Sequence, residues 1–277
     1  MKKLILFSFF LMAGIFRIAF AQEYDKTALA KGMNFIETKT YSAEDDAKIL
    51  VLYKDLRVAD VSDGLDMVGL PGTGLVNQAI HADWVDLKDF THVIRGIAVT
   101  VRFVPTQKPA LPAPGVEFPK WEGNFYSTYS HEAYTQLIRK GSVVVIDDVE
   151  DMDIGSIGSN NILNYVKLGA VGVITDAGAR DTDEIGLERV PIYLRQKGRG
   201  IRPGRNEIES VNRPVCIGGV LVCPGDVVVA DGDGVVVVPR AVAEQVAKYA
   251  TDILTNDKAG RKSLYEDLGR PLDRTVK

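Results

Sequence analysis

An arginine followed directly by an aspartate, Arg180-Asp181, sets a forked cation beside a hard oxygen donor. The guanidinium can orient a carboxylate or keto oxygen, and the carboxylate can hold a divalent cation. The pair closes the stretch Gly169 to Asp181, where the apolar run Val171 to Ile174 reads as a short buried strand and the small residues after Asp176 as a turn. Turns that follow a buried strand are where α/β proteins place ligand chemistry, because the scaffold fixes a loop that substrate can still reach. By spacing alone the pair reads equally as a surface ion pair. A second stretch, Gly155-Ser156-Ile157-Gly158-Ser159-Asn160-Asn161, opens a helix expected over 162–168. Backbone N–H groups at such a start suit an anionic ligand. Its glycine spacing is not that of a dinucleotide fingerprint, and it leads from the acidic Asp147-Asp148 loop rather than from a strand.

Other chemistry-bearing residues give weaker signals. Asp60 and Asp63 read as helix-end or surface acids. Asp231 and Asp233 resemble a calcium loop only until the missing third acid and distal Glu are counted, so they are assigned to a turn. Arg195, Arg199, Arg202 and Arg205 fall in a polar excursion over 195–213 and read as solvated loop. His131 and Glu132 open a helix through Leu137 and Ile138 and are given no chemistry. Cys216 and Cys223 flank Gly218-Gly219. A hairpin pairing 217 with 220 sets 216 opposite 221, so the two sulfurs lie diagonally, a poor geometry for a disulfide.

These groups need elements to position them. Ser42-Ala43-Glu44-Asp45 is a capping-box pattern that predicts a helix to about Lys54, and a second helix is expected over Val58–Val68. Gly96 to Val104 alternates as a strand. Pro105, Pro109, Pro112, Pro114 and Pro119 then predict an extended loop to about Asn124, ending in Trp121, Phe125, Tyr126 and Tyr129 and readable as a lid, a subunit-contact arm or a loop packed on its own domain. Strands are expected at Ser142–Ile146 and Pro191–Leu194, a hairpin at 215–222, and two strands about a tight Asp-Gly turn over 227–239. Val242, Val246, Tyr249 and Ile253 place a last helix before a charged tail. The alternation of strands and helices is that of an α/β protein.

Met1-Lys2-Lys3, the apolar run Leu4–Phe16 and Ala19-Phe20-Ala21 read as a signal peptide cleaved after Ala21, the alternative being an uncleaved anchor, so an exported protein with no remaining membrane segment, periplasmic in a Gram-negative source, is expected. Its removal takes Lys2, Lys3 and Arg17 and moves the formal charge from −4 to −7. An acidic chain without a basic cluster is a poor nucleic-acid ligand.

Taken together, Gly169 to Asp181, Gly218-Gly219-Val220, Pro224-Gly225-Asp226 and Ala230-Asp231-Gly232-Asp233-Gly234-Val235-Val236-Val237-Val238-Pro239 resemble the RraA-like family. That family holds the regulator of ribonuclease activity A and the class II 4-hydroxy-4-methyl-2-oxoglutarate aldolases. The resemblance implies an α/β/α core with a swivelling β/β/α arrangement, assembled as homotrimers or homohexamers with sites between subunits. It divides the chain into a signal peptide (1–21), an extension and helix (22–56), the RraA-like domain (57–240, with the Pro-rich loop 105–124) and a C-terminal helix and tail (241–277).

By the same resemblance, Arg180 binds substrate, Asp181 holds Mg²⁺ or Mn²⁺, and the amides of Gly158, Ser159, Asn160 and Asn161 contact a pyruvate carboxylate. The family aldolases carry an acid at the position of Ser159, and a hydroxyl cannot serve as that carboxylate. A second acid comes from a neighbouring subunit's C-terminal helix, matched here to Asp257. The reaction implied is cleavage of a 4-hydroxy-2-oxo acid through a metal-stabilised pyruvate enolate. The alternatives are a protein-binding regulator without catalysis and an oxaloacetate decarboxylase on the same scaffold. A methyltransferase finds no support, because no cofactor loop of the right glycine spacing is present.

Overall fold

The computed structural model describes residues 24–150 and 152–277; the expected signal peptide lies outside them. Among the described residues no helix is long and apolar enough to cross a membrane. The chain divides at Glu37. Before it, helix α1 (Lys26–Lys31) is capped by the Asp25 side chain, and Tyr24 meets Phe35 edge-on.

The main unit begins with α2 (Ala43–Tyr53), capped by Ser42 Oγ accepting the Asp45 N–H at 3.1 Å, and α3 (Val58–Met67). Strands β1 (His81–Ala82) and β2 (Ile94–Pro105) follow, then α4 (Phe118–Tyr129) and a 3₁₀ turn, Ala133–Leu137. Next come β3 (Ser142–Asp147), α5 (Ser159–Leu168), β4 (Ala170–Thr175), β5 (Gly178–Ala179), α6 (Thr182–Leu187), β6 (Ile192–Leu194) and β7 (Gln196–Lys197). The chain ends with β8 (Asn206–Val211), the hairpin β9 (Val215–Ile217) and β10 (Val220–Val222), the hairpin β11 (Val227–Asp231) and β12 (Gly234–Val238), and α7 (Ala243–Asp267).

One mixed sheet organises this unit in the order β1-β6-β4-β3-β2-β11-β12, with β8 also on β2. β2, β3, β4 and β6 run parallel, and β11 joins β2 antiparallel. Val143 to Ile146 are all buried, the continuous apolar run of a strand covered on both faces. Just upstream of β1, Val76 donates its N–H to Val235 O and Gly74 O accepts from Val237 N–H. The free edge of β12 is thereby covered, and the sheet comes close to closing as a barrel. The fold is α/β as expected.

Four expectations need correction. Pro119 does not exclude helix: it occupies the first turn of α4, where a missing N–H costs nothing; Pro105 closes β2, and only 106–117 stays irregular. The helix after Glu132 is a single 3₁₀ turn. The last helix continues through the charged tail to Asp267. Residues 195–213 are no solvated excursion, since β8 pairs with β2 and both Arg202 and Asn206 are buried. Ile217 lies opposite Val220, the register expected, the second hairpin pairs Asp231 with Gly234 across its tight turn, and both cysteines are free thiols.

Candidate functional site

The segment 154–158 and β5 lie side by side and bring the two chemical stretches together. Ser156 donates its N–H to Gly178 O, and Arg180 donates its own to Ile157 O at 2.9 Å. A Cβ on Gly155 would sit 2.6 Å from Arg180 Cβ, so the close approach depends on glycine there. Gly158 has an extended φ of −133°, which any residue adopts, but a Cβ on it would collide with Asp181 Oδ2. A larger residue there would push the Asp181 carboxylate off the position it holds over the turn.

Asp181 is held in the left-handed region at φ 56°, ψ 37°, a conformation that aspartate tolerates better than most residues. Its Oδ2 accepts the Ser159 N–H at 3.3 Å, at the start of α5. Arg180 Nε lies 3.8 Å from the same oxygen, and the two side chains are 40% and 41% exposed. Asn161 Oδ1 accepts the Gly158 N–H at 3.0 Å and completes the turn. Arg180, Asp181 and Gly158 to Asn161 thus form one constellation.

Asp257 lies elsewhere. It sits on α7, which packs into a core cluster separate from the one beneath α5, and it pairs with Arg57 at 2.8 Å. Among the described residues no three His, Cys, Asp or Glu side chains group as a metal site.

Arg180 lines a cavity of about 540 Å³ together with Tyr126, Glu132, Ser156, Asn161 and Arg202. Two of these were passed over in sequence. Glu132 Oε1 accepts from Arg202 Nη2 and from Asn161 Nδ2, both at 2.7 Å. The Arg202 side chain is 4% exposed, with its guanidinium near the faces of Phe103 and Tyr126. Burying a guanidinium requires a paired anion, and Glu132 is that anion. No residue type or spacing marks this pair, since its members are seventy positions apart. The end of the Pro-rich stretch contributes through Tyr126 on α4, as a cavity wall.

Behind the cavity, Asn206 Nδ2 donates to Asp148 Oδ1 at 2.7 Å and to Ser156 Oγ at 2.9 Å. Asp148 N–H in turn donates to Asp176 Oδ1 at 3.1 Å. Burial pushes the Asp176 carboxyl up to about 7, opposed by that N–H and reinforced by Asp147 and Glu150. The folded chain therefore binds a proton that the unfolded chain has released between about pH 4 and pH 7, and stability falls as pH rises through that window. Asp176→Asn keeps the Oδ1 acceptor without the charge. At pH 8 it should stabilise the protein by about 2–4 kcal/mol in chemical denaturation, and at pH 4 the gain should vanish. An equal gain at both pH values would show that charge burial is not the cause.

Comparison with known proteins agrees with this architecture. The family model RraA-like, Aldolase/RraA, matches residues 58–237. Among solved structures, an uncharacterized protein from Pseudomonas syringae pv. tomato is 25% identical, with 86% of this chain and 100% of that chain covered and a TM-score of 0.63. A structure described under novel cellulases from microbes associated with the gut ecosystem is 24% identical, covering 85% of this chain and 96% of its own at a TM-score of 0.65. RraAS2 of Streptomyces coelicolor, described as an unusual member of the RNase ES inhibitor RraA family, is 22% identical over 78% of this chain and 96% of its own, at a TM-score of 0.63. A search among curated proteins gave no match. Because the family model spans well over half of the sequence and carries Arg180, Asp181 and the turn before α5 within it, the chain belongs to the RraA-like family.

Proposed function

We propose that the protein is a divalent-metal-dependent lyase that cleaves a 4-hydroxy-2-oxo acid through a pyruvate enolate. The observation that carries this reading is the exposed guanidinium of Arg180 beside the exposed carboxylate of Asp181, at the amide-lined start of α5. The residues fit a cation shared with a chelating substrate. Asp181 offers one carboxylate, Gly158 leaves it room, and Mg²⁺ or Mn²⁺ bound through one carboxylate keeps positions for water and for the keto acid's own oxygens. Such a cation supplies Lewis-acid stabilisation of negative charge on the keto oxygen.

The protein's own groups do the rest. Arg180 places a second fixed positive charge where charge develops on oxygen. Of the N–H groups at the start of α5, that of Gly158 goes to Asn161 Oδ1 and that of Ser159 to Asp181 Oδ2, so those of Asn160 and Asn161 are the ones that meet the substrate carboxylate. In this reading the mature chain, cleaved after Ala21, is exported to the periplasm and assembles as a homotrimer or homohexamer. Asp257 of a second copy then adds an acid near the cation. Export also separates the protein from RNA-decay enzymes, which weighs against the regulator reading.

A panel of 2-oxo acids assayed with and without EDTA tests the proposal. Pyruvate release from 4-hydroxy-2-oxo acids should require Mg²⁺ or Mn²⁺ and stop with chelator. Metal-independent release, or none from any member, would sink it. The presence of Ser159 favours a second reading, oxaloacetate decarboxylation, which needs the same enolate stabilisation but no base for a 4-hydroxyl. Oxaloacetate therefore belongs in the panel.

A further inference from the structure

Cleavage of a 4-hydroxy-2-oxo acid requires a base. The C4–O–H proton must leave as the C4 carbonyl forms, the C3–C4 bond breaks and its electron pair moves onto the 2-oxo group. Asp181 is committed to the cation in the proposed function, and Ser159 bears only a hydroxyl. The cavity that Arg180 lines offers three other candidates, Glu122, His131 and Glu132.

Only one of them is anchored. Among the described residues no hydrogen bond fixes the side chain of Glu122 or His131, whereas Glu132 is held by two. Both donors, Arg202 Nη2 and Asn161 Nδ2, converge on Oε1 at 2.7 Å. Neither takes Oε2. The holders are themselves fixed: Arg202 lies near the rings of Phe103 and Tyr126, and Asn161 is tied through Oδ1 to the Gly158 N–H. One amide side chain thus couples the Glu132 carboxylate to the turn that carries the Asp181 contact. Reacting groups must be held close to their working geometry, which an unanchored side chain at a cavity mouth is not.

We propose that Glu132 is the proton acceptor of this site, with Arg202 and Asn161 as its positioning residues. The inference rests on the lyase reading. Glu132 Oε2 takes the C4-hydroxyl proton as the C3–C4 bond breaks. The resulting acid returns that proton to C3 of the enolate, giving pyruvate and regenerating the carboxylate, so no outside proton donor is needed.

The test compares two reactions in one variant. Glu132→Gln keeps an oxygen that can accept from Arg202 and Asn161 but cannot take a proton. Its 4-hydroxy-2-oxo acid cleavage should fall by about 10²–10⁴-fold. Oxaloacetate decarboxylation breaks its bond with no hydroxyl to deprotonate, and should fall no more than a few-fold. Equal loss of both reactions would mean that Glu132 only shapes the site; no loss of either would mean that the base is elsewhere. Both results overturn the proposal. If the unaltered protein cleaves no 4-hydroxy-2-oxo acid, the lyase reading fails first, and the two failures stay distinct. Circular dichroism of the variant at the assay temperature, with Mn²⁺ binding followed by electron paramagnetic resonance, should match the unaltered protein and exclude misfolding, even though loss of the anion beside Arg202 lowers its unfolding free energy.

Discussion

Arg180→Ala should lower the rate of 2-oxo acid cleavage by about 10²–10³-fold, the usual loss when one donor to a developing oxyanion is removed. The effect should fall mainly on kcat, because the guanidinium matters most once charge has built on the keto oxygen. The backbone of Arg180 is fixed by Ile157 O and its Cβ fits over Gly155, so the side chain begins from a defined point. Since the side chain is 40% exposed and, among the described residues, its one ion pair is with Asp181 at 3.8 Å, truncation should leave stability within about 0.5 kcal/mol of the parent. Steady-state kinetics and chemical denaturation on the same preparation separate these effects. Arg180→Lys should recover only part of the rate, because an ammonium cannot form the two-pronged contact. A variant that keeps the parent rate while EDTA still abolishes activity would show that the enolate charge is met elsewhere.

Much of the scaffold was legible because local chemistry and tertiary packing agree in it. Val143 to Ile146 and Val235 to Val238 are apolar without interruption and are buried on both faces. Ser42 and the Asp231–Gly234 turn are local devices that act wherever they occur. The misreading at Pro119 came from treating proline as a helix breaker without asking where in a helix it would stand. The counter-signal was present: Phe118, Trp121, Phe125 and Tyr129 recur at helical spacing, and successive rings are in contact. Arg180, Asp181 and the turn before α5 could be picked out because they sit at element ends. Glu132 and Arg202 could not, since each looks like a surface residue until the fold buries the arginine and brings the glutamate to it.

That burial yields the largest expected change in stability. Glu132→Leu leaves the Arg202 guanidinium, 4% exposed, without its anion, and should cost about 3–5 kcal/mol in chemical denaturation. Arg202→Met should cost less, because the Glu132 side chain is 18% exposed and can draw on solvent as well as on Asn161 Nδ2. Methionine would also keep much of the contact with Phe103 and Tyr126. The double variant should be more stable than Glu132→Leu alone, since an apolar pair of similar volume often matches or exceeds a buried ion pair. A double-mutant cycle built from these proteins isolates the coupling, which should exceed about 1 kcal/mol for residues in direct contact. If Glu132→Leu costs under about 1 kcal/mol, Arg202 is reaching water and the pair is no buried anchor. If instead the double variant folds well and cleaves no substrate, the ion pair is dispensable for the fold and its place in the cavity wall serves the chemistry.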